Sequence, residues 1–243
     1  MSPRARLPMI VATATILFLG GVAMALSSQA NSRLHLPLVR GGPGAIPSVT
    51  PFATVTTSPP RTPQIAFSSY RHGNYELYSM DADGTNVTRI TTNPHDDKNP
   101  VWSPDGSRLA YTAIPPGCAP YQTCLFDLFV INADGSGLVQ LTNHPRWDGW
   151  PRWSPDGTRI AFVSGRDGNN EIYVITADGT GLTRLTDNPK DDIRPSWSPD
   201  GQRIAFQTNR DGDYEIYVMG ADGSNPTRLT ASALADEGPA WRP

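Results

Sequence analysis

Four aspartates recur at one position of the sequence and could carry chemistry. Each lies three residues before the proline of a Pro-x-Trp motif; they are Asp97, Asp148, Asp192 and Asp236. Four carboxylates around the mouth of a channel could hold a hard cation, and a pair such as Asp97 and Asp148 could hydrolyse a glycosidic bond. Aspartate also hydrogen-bonds the backbone of its own loop. Because such a structural role would recur in every repeat, we favour it and expect no metal or other cofactor.

Two tryptophans break the repeat pattern beside one of these aspartates. Trp147 and Trp150 flank Asp148, and the other repeats have no tryptophan at either position. Exposed aromatic rings stack on sugars or anchor protein partners. We therefore predict a binding site for a protein or glycan at Trp147 and Trp150, with Tyr121 and the four aspartates as further candidates. The alternative is that the two rings pack locally against a neighbouring loop.

That neighbouring loop is an insertion that contains the chain's two cysteines. Cys118 and Cys124 lie in the segment Pro-Pro-Gly-Cys-Ala-Pro-Tyr-Gln-Thr-Cys. In an exported protein such a pair favours a disulfide that closes a small loop, and a pair of free thiols is the alternative. No histidine lies at ligand spacing, so a metal site is not indicated.

The sequence offers little for catalysis or for nucleic-acid binding. It contains no Gly-x-Ser-x-Gly motif, no phosphate-binding glycine loop and no His/Cys metal set, and its four histidines do not cluster. Residues 64–243 carry 15 Lys and Arg against 23 Asp and Glu, whereas nucleic-acid binding needs a basic surface. We expect a non-catalytic protein, with a polysaccharide-cleaving enzyme as the alternative.

Internal repeats position all of these residues. Trp-Ser-Pro-Asp-Gly occurs at 102–106, 153–157 and 197–201, and a shortened copy begins at Trp241. An Ile/Leu-Ala-aromatic motif recurs with spacings of 44, 51 and 44 residues, and an insertion of seven explains the longer one. Ala-Asp-Gly and a Leu/Ile-Thr step recur in the same order. Each unit therefore predicts four short strands joined by tight turns.

Four-stranded units of this length are typical of β-propeller blades. The sequence predicts an all-β propeller of four blades. Because the first unit lacks its Trp strand, Pro239–Trp241 is expected to pair beside Ile65–Phe67 and close the ring. The alternative is an open arc completed by a second copy, so the chain is expected to be a monomer or a homodimer.

Two further recurring sets have structural interpretations. The repeated tryptophans are predicted to pack between blades; they are Trp102, Trp153, Trp197 and Trp241. Acidic residues at the start of the third strands are predicted to pair across the hairpin with Arg71, Arg166 or Arg210; they are Glu76, Asp127, Glu171 and Glu215.

The motifs Trp-Ser-Pro-Asp-Gly-x-x-Ile-Ala-Phe, Arg-Asp-Gly-x-x-Glu-Ile-Tyr-Val, Ala-Asp-Gly and Arg-Leu-Thr together resemble the repeats of the TolB-type β-propeller family. The resemblance covers residues 64–243. It implies an extracytoplasmic propeller that serves as an interaction platform. The chain differs from the TolB pattern in having four repeats where six are expected, and a Pro/Thr-rich segment in place of an α/β domain.

The amino-terminal residues predict export. Arg4 and Arg6 precede an uncharged apolar run from Met9 to Leu26, a pattern typical of a signal peptide or a membrane anchor over residues 1–30. Residues 31–63 are rich in Pro, Thr and Ser and predict an extended linker. The propeller is therefore expected outside the cytoplasm, in contact with a membrane only through residues 1–30 if these are not cleaved.

Overall fold

A computed structural model describes residues 17–19, 22–24, 64–116 and 125–242. The chain divides into two compact units, Met1–Thr57 and Ser58–Pro243. The first contains an antiparallel pair, β1 (Leu17–Leu19) and β2 (Val22–Met24). The described residues contain no helix that is long and apolar enough to cross a membrane. Otherwise, the predicted leader and linker lie outside the described residues.

The second unit consists of four antiparallel sheets, each built from consecutive strands, which we call blades 1 to 4. Blade 1 contains β3 (Gln64–Ser69), β4 (Glu76–Asp81) and β5 (Thr88–Arg89). Blade 2 contains β6 (Asp97–Trp102), β7 (Arg108–Ala113), β8 (Asp127–Asn132) and β9 (Val139–Gln140). Blade 3 contains β10 (Asp148–Trp153), β11 (Arg159–Ser164), β12 (Glu171–Thr176) and β13 (Thr183–Arg184). Blade 4 contains β14 (Asp192–Trp197), β15 (Arg203–Thr208), β16 (Glu215–Gly220) and β17 (Thr227–Arg228).

The Ser-Pro-Asp-Gly motifs form the predicted tight turns between the first and second strands. The amide of Gly106 donates to the carbonyl of Ser103 at 2.8 Å, and Gly106 has a φ of 65°. The Asp105 carboxylate accepts bonds from Ser103 and Ser107. The Ser103 hydroxyl and then Ser107 lower the pKa of Asp105 to about 2. The turn is thus fixed by glycine conformation and by an ionised aspartate.

The apolar cores lie between neighbouring blades. One cluster joins Leu77 of blade 1 to Leu109 and Phe129 of blade 2, and equivalent clusters join blades 2 and 3 and blades 3 and 4. Central strands such as β11 have both faces covered; Ile160 and Ala161, which point to opposite faces, are both fully buried. Each blade therefore completes the core of the next, as expected for a propeller.

The repeated tryptophans connect adjacent blades, which confirms their predicted packing role. The Nε1 atom of Trp153 donates to the carbonyl of Val101 at 3.0 Å, and that of Trp197 donates to the carbonyl of Arg152 at 3.1 Å. A guanidinium covers each indole, with Arg159 4.7 Å from the centre of Trp197. Hydrogen bonding and cation–π contact thus combine at the junction of blades 2 and 3 and at that of blades 3 and 4.

The predicted closure of the ring is not present in the described structure. β3 pairs only with β4, and the described residues after Arg228 contain no strand. Ile65 of β3 is 44% exposed, whereas its equivalents Leu109, Ile160 and Ile204 are 0% exposed. The C-terminal segment remains on blade 4 because the Nε1 atom of Trp241 donates to the carbonyl of Ser196 at 3.1 Å. Blade 1 therefore has three strands and an uncovered inner edge.

Replacing Trp197 with Phe should destabilise the propeller by about 1–3 kcal/mol, because the buried carbonyl of Arg152 loses its donor. The free energy of unfolding from urea titration measures this change. Trp150→Phe is the matched control, since the Trp150 ring nitrogen makes no hydrogen bond among the described residues, and its effect should stay within about 0.5 kcal/mol. Equal losses in both variants would contradict the assigned role.

Candidate functional site

One end of the blades gathers the starts of the inner strands and the hairpins between second and third strands; we call it the entry face. Backbone bonds join the two kinds of loop across neighbouring blades. The amide of Asp97 donates to the carbonyl of Tyr75 at 2.8 Å, and that of Asp148 donates to Phe126 at 2.8 Å. Asp192 and Asp236 repeat this contact with Asn170 and Tyr214, respectively. The entry face therefore contains all four repeated aspartates.

Two of these aspartates form buried ion pairs with arginines of their own blades. The Oδ2 atom of Asp148 is 3.0 Å from Nη2 of Arg166, and that of Asp192 is 2.9 Å from Nη2 of Arg210. Both carboxylates are fully buried. The Arg210 guanidinium also lies 4.7 Å from the centre of the Tyr217 ring. Each pair fastens the start of an inner strand to the adjacent hairpin. The carboxylates are thereby positioned beneath the entry face.

The sequence-based pairing of these arginines with the third-strand acids is wrong. Glu171 pairs with Arg184 at 3.0 Å, and Glu215 pairs with Arg228 at 2.9 Å. Glu76 pairs in the same way with Arg89 at 2.8 Å. The short fourth strand lies directly beside the third and brings its arginine to the acid. The hairpin arginines Arg166 and Arg210 pair with the inner-strand aspartates instead.

Asp97 differs from Asp148 and Asp192, which are paired with arginines. The insertion in blade 2 replaces the hairpin that carries the arginine elsewhere, and Asp97 has no cationic partner among the described residues. Its Oδ2 atom accepts a bond from Asn93 at 2.6 Å, and its side chain is almost completely buried. Burial, reinforced by the charges of Glu76 and Asp96, raises the pKa of Asp97 to about 6. Asp97 is therefore the acid whose protonation changes near neutral pH.

The structure does not bring the four carboxylates together. Among residues 64–116 and 125–242, no three His, Cys, Asp or Glu side chains lie close enough to share a metal ion. Asp97 and Asp148 are 1% and 0% exposed, so a polysaccharide cannot reach either carboxylate without rearrangement. Asp236 differs in being half-buried, with no arginine beside it among the described residues.

The two additional tryptophans form a pair on the entry face. Their ring centres are 5.1 Å apart at an interplanar angle of 80°, and both side chains are half-buried. The ring of Trp147 also lies over Gly149, where an added Cβ would be 2.2 Å from Cζ2. Glycine at 149 is thus required for this arrangement. The sequence left local packing and an exposed binding surface as alternatives, and the two half-buried rings show both packing and exposure.

Each described inner strand contains a bulge, and two of the three bulge residues, Asn99 and Arg194, were not predicted from the sequence. Asn99, Trp150 and Arg194 have φ values of 56°, 52° and 55°, and each lies where the pairing of its strand shifts register. Bulges re-aim side chains and occur next to binding sites. Asn99 and Arg194 are exposed. These positions could have been found in the sequence, because the residue type two positions after each repeated aspartate differs from repeat to repeat.

A second aromatic group, also missed, lies between blades 1 and 2. The rings of Tyr70 and Tyr75 meet edge to face at 5.2 Å, and Tyr70 is 59% exposed. The Nζ atom of Lys98 lies 4.3 Å from the Tyr75 ring centre and 5.3 Å from that of Phe126. Cys118, Tyr121 and Cys124, predicted as a disulfide and a binding residue, lie outside the described residues.

Comparison with known proteins identifies the repeats. Residues 128–243 match the family described as TolB beta propeller domain. A TolB homologue of Chlorobium luteolum is 34% identical over 143 residues, which cover 44% of this chain and 33% of that protein. The structure of a TolB candidate from Agrobacterium tumefaciens aligns with a TM-score of 0.58 and 28% identity, covering 69% of this chain and 61% of the other. The repeats thus resemble those of the TolB-type β-propeller family in sequence and in fold.

The chain spans only part of the length of the relatives that it matches. The Tol-Pal system protein TolB of Alcanivorax borkumensis is 33% identical over 94 residues, which cover 39% of this chain and 20% of that protein. The chain thus spans between a fifth and a third of the length of these two TolB relatives. The family explains the blades and their junctions. The insertion of blade 2 and the tryptophan pair are features that depart from this chain's own repeat.

Asp97→Asn should stabilise the TolB-like propeller by about 1–3 kcal/mol at pH 7, with no gain at pH 3.5. The pKa of Asp97 is about 6 in the folded state against an ordinary 3.8. The unfolded chain therefore loses this proton first, and wild-type stability falls as pH rises between these values. Urea titrations of both proteins from pH 3.5 to 7.5 measure the difference.

Asp105→Asn is the control for this pH profile. Because the pKa of Asp105 is lowered to about 2, its carboxylate is already ionised in both states above pH 5, and the difference from wild type should be constant there. A constant difference for Asp97→Asn between pH 5 and 7 would contradict the assigned pKa.

Proposed function

We propose that this TolB-like propeller is a non-catalytic, extracytoplasmic module that binds a protein partner through the aromatic part of its entry face. This surface, which we call the aromatic face, consists of Tyr70, Tyr75, Phe126, Trp147 and Trp150. The observation that carries the proposal is the tryptophan pair, which occurs once in the described repeats and is held by Gly149 at a strand bulge. Aromatic residues that are fixed in position and partly exposed are typical centres of protein interfaces.

Charge and geometry favour a protein over a glycan. A sugar ring stacks on an open aromatic face, whereas the edge-to-face contact of Trp147 and Trp150 covers part of each ring. Lys98 adds a cation beside the rings of Tyr75 and Phe126. Such a combination suits a partner with apolar anchors and acidic side chains at its rim. A glycan of the cell envelope remains the alternative ligand to be tested.

The repeated aspartates have a positioning role in this proposal. Asp148 holds the start of β10, and so the backbone between Trp147 and Trp150, through its pair with Arg166. Asp192 and Asp97 hold the corresponding turns of β14 and β6. Their burial argues against the polysaccharide-cleaving alternative, which needs two accessible carboxyl groups.

The extracytoplasmic location rests on the basic and apolar residues of segment 1–30 and on the kinship with TolB. One relative is named as part of the Tol-Pal system. The corresponding proposal is that the propeller meets its partner in the cell envelope. Residues 31–63 would then act as a spacer between the export segment and the binding module.

Trp147→Ala/Trp150→Ala should reduce capture of the partner at least about tenfold. The immobilised full chain is incubated with an envelope extract, and proteins retained by wild type are quantified against those retained by the double variant. The control is Leu138→Ala/Leu182→Ala, which removes two exposed apolar side chains, 56% and 44% exposed, from the loops between third and fourth strands at the opposite end of the blades.

The outcomes separate the alternatives. Loss of a specific protein by the tryptophan variant alone supports the proposal, and equal recovery by all three proteins removes the aromatic face as the binding site. Retention of purified peptidoglycan by wild type but not by the tryptophan variant would replace the protein partner with a glycan.

A further inference from the structure

The inner edge of blade 1 has the features of an unfilled blade junction. In blades 2 to 4 an inner strand covers the second strand, whereas β3 has no such neighbour. As a result Ile65 is 44% exposed, against 0% for Leu109. An uncovered strand edge with apolar residues is a site for pairing with another strand.

A partly buried tryptophan beside this edge, Trp102, has no acceptor for its indole nitrogen among the described residues. In blades 3 and 4 the indole nitrogen donates to the residue that precedes the tryptophan of the previous blade, as Trp153 does to Val101. The Nε1 atom of Trp102 is buried but has no partner. By the same rule its acceptor is the residue before a tryptophan in the inner strand of blade 1. Ala240, which precedes Trp241, is that residue.

An arginine beside the same edge lacks its carboxylate. Arg71 follows the pattern of Arg166: its Nε atom donates to Ser69 at 2.9 Å, as that of Arg166 does to Ser164 at 2.8 Å. Its guanidinium lies 4.6 Å from the Tyr78 ring centre. No carboxylate pairs with Arg71 among the described residues. The fourth aspartate of the repeated series, Asp236, has no arginine.

The C-terminal segment 236–241 repeats several contacts that the inner strands make with the preceding blade. Its Trp241 bonds to Ser196, and Arg203 lies 4.8 Å from the indole centre. Gly238 has a φ of 69°, which matches the bulge of the true inner strands, and its amide donates to Gln207 at 2.8 Å. The segment is thus placed to pair with a further second strand, and it lacks only that strand.

We propose that segment 236–241 of one copy completes blade 1 of a second copy of this chain. The register of blade 3, with Trp153 opposite Ile160 and Asp148 opposite Ser164, places Trp241 opposite Ile65 and Asp236 opposite Ser69. The junction then supplies Asp236 to Arg71 and the carbonyl of Ala240 to Trp102. This inference does not depend on the proposed function.

A second copy suits the edge better than the chain's own segment. Among the described residues, blade contacts run from 1 to 2, 2 to 3 and 3 to 4, and β3 does not contact blade 4. Closure within one chain would need a pairing of β3 with segment 236–241 that the described structure does not contain. Two copies form two identical junctions around a two-fold axis, a closed arrangement typical of homodimers, and the ring of eight blades is within the range of known propellers.

Charge reversal at the junction tests the proposal. The full chain should sediment as two copies, and Arg71→Asp and Asp236→Arg should each raise the dissociation constant at least about tenfold. An equimolar mixture of the two single variants should recover the dimer, because one junction is then native and the other is a reversed pair. Lys190→Asp, an exposed lysine with the same charge change, is the control and should stay dimeric.

Each outcome decides between closure by a second copy and closure within one chain. A monomeric wild type at all concentrations overturns the proposal. The proposal is also overturned if the mixture stays monomeric and the double variant Arg71→Asp/Asp236→Arg regains wild-type thermal stability as a monomer. These two results together would indicate closure within one chain. Recovery of the dimer in the mixture supports it even where a single variant is less stable.

Discussion

The contact between the inner-strand tryptophan of one blade and the inner strand of the blade before it is the interaction on which this propeller depends. Each sheet has a short fourth strand and cannot bury both faces alone, so its core is shared with its neighbours. The indole supplies apolar area, its nitrogen satisfies a buried carbonyl, and an arginine covers its outer face. One residue type therefore sets the distance and register between successive sheets.

The same dependence explains the entry face. The inner strand begins at an aspartate whose backbone bonds to the previous blade and whose carboxylate bonds to the hairpin of its own blade. Because both contacts are buried, the loops above them have little freedom, and the bulge that follows can present a residue that differs from blade to blade. Blade 2 has an insertion where blades 3 and 4 have the hairpin arginine, and Asp97 accepts side-chain hydrogen bonds from Asn93 and Thr91 instead. Blade 2 therefore carries a buried acid that has no cationic partner among the described residues, and this acid lies near the aromatic face.

Most of the fold was predictable because the same sequence pattern, and therefore the same local structure, recurs in each repeat. Glycine and proline placed the turns, the apolar alternation placed the strands, and the position of Trp153 in its motif indicated packing between blades. The partners of the charged residues were not predictable from spacing. Glu215 is nearer to Arg210 in the sequence than Asp192 is, and only the order of strands in the sheet shows that Arg228 pairs with Glu215 and Arg210 with Asp192.

The sequence by itself determined the all-β class, the blade boundaries and the residues that break the repeat, because these follow from local backbone preferences and from periodicity. The tertiary structure decided which aspartates are buried, where Trp147 and Trp150 lie relative to one another, and whether blade 1 is complete. These properties depend on the angle between blades and on long-range pairing, and neither is encoded in the spacing of a motif. The exposed edge of β3 is the clearest case: four tryptophan strands predicted a complete ring, whereas β3 pairs only with β4 and contacts no strand of blade 4 among the described residues.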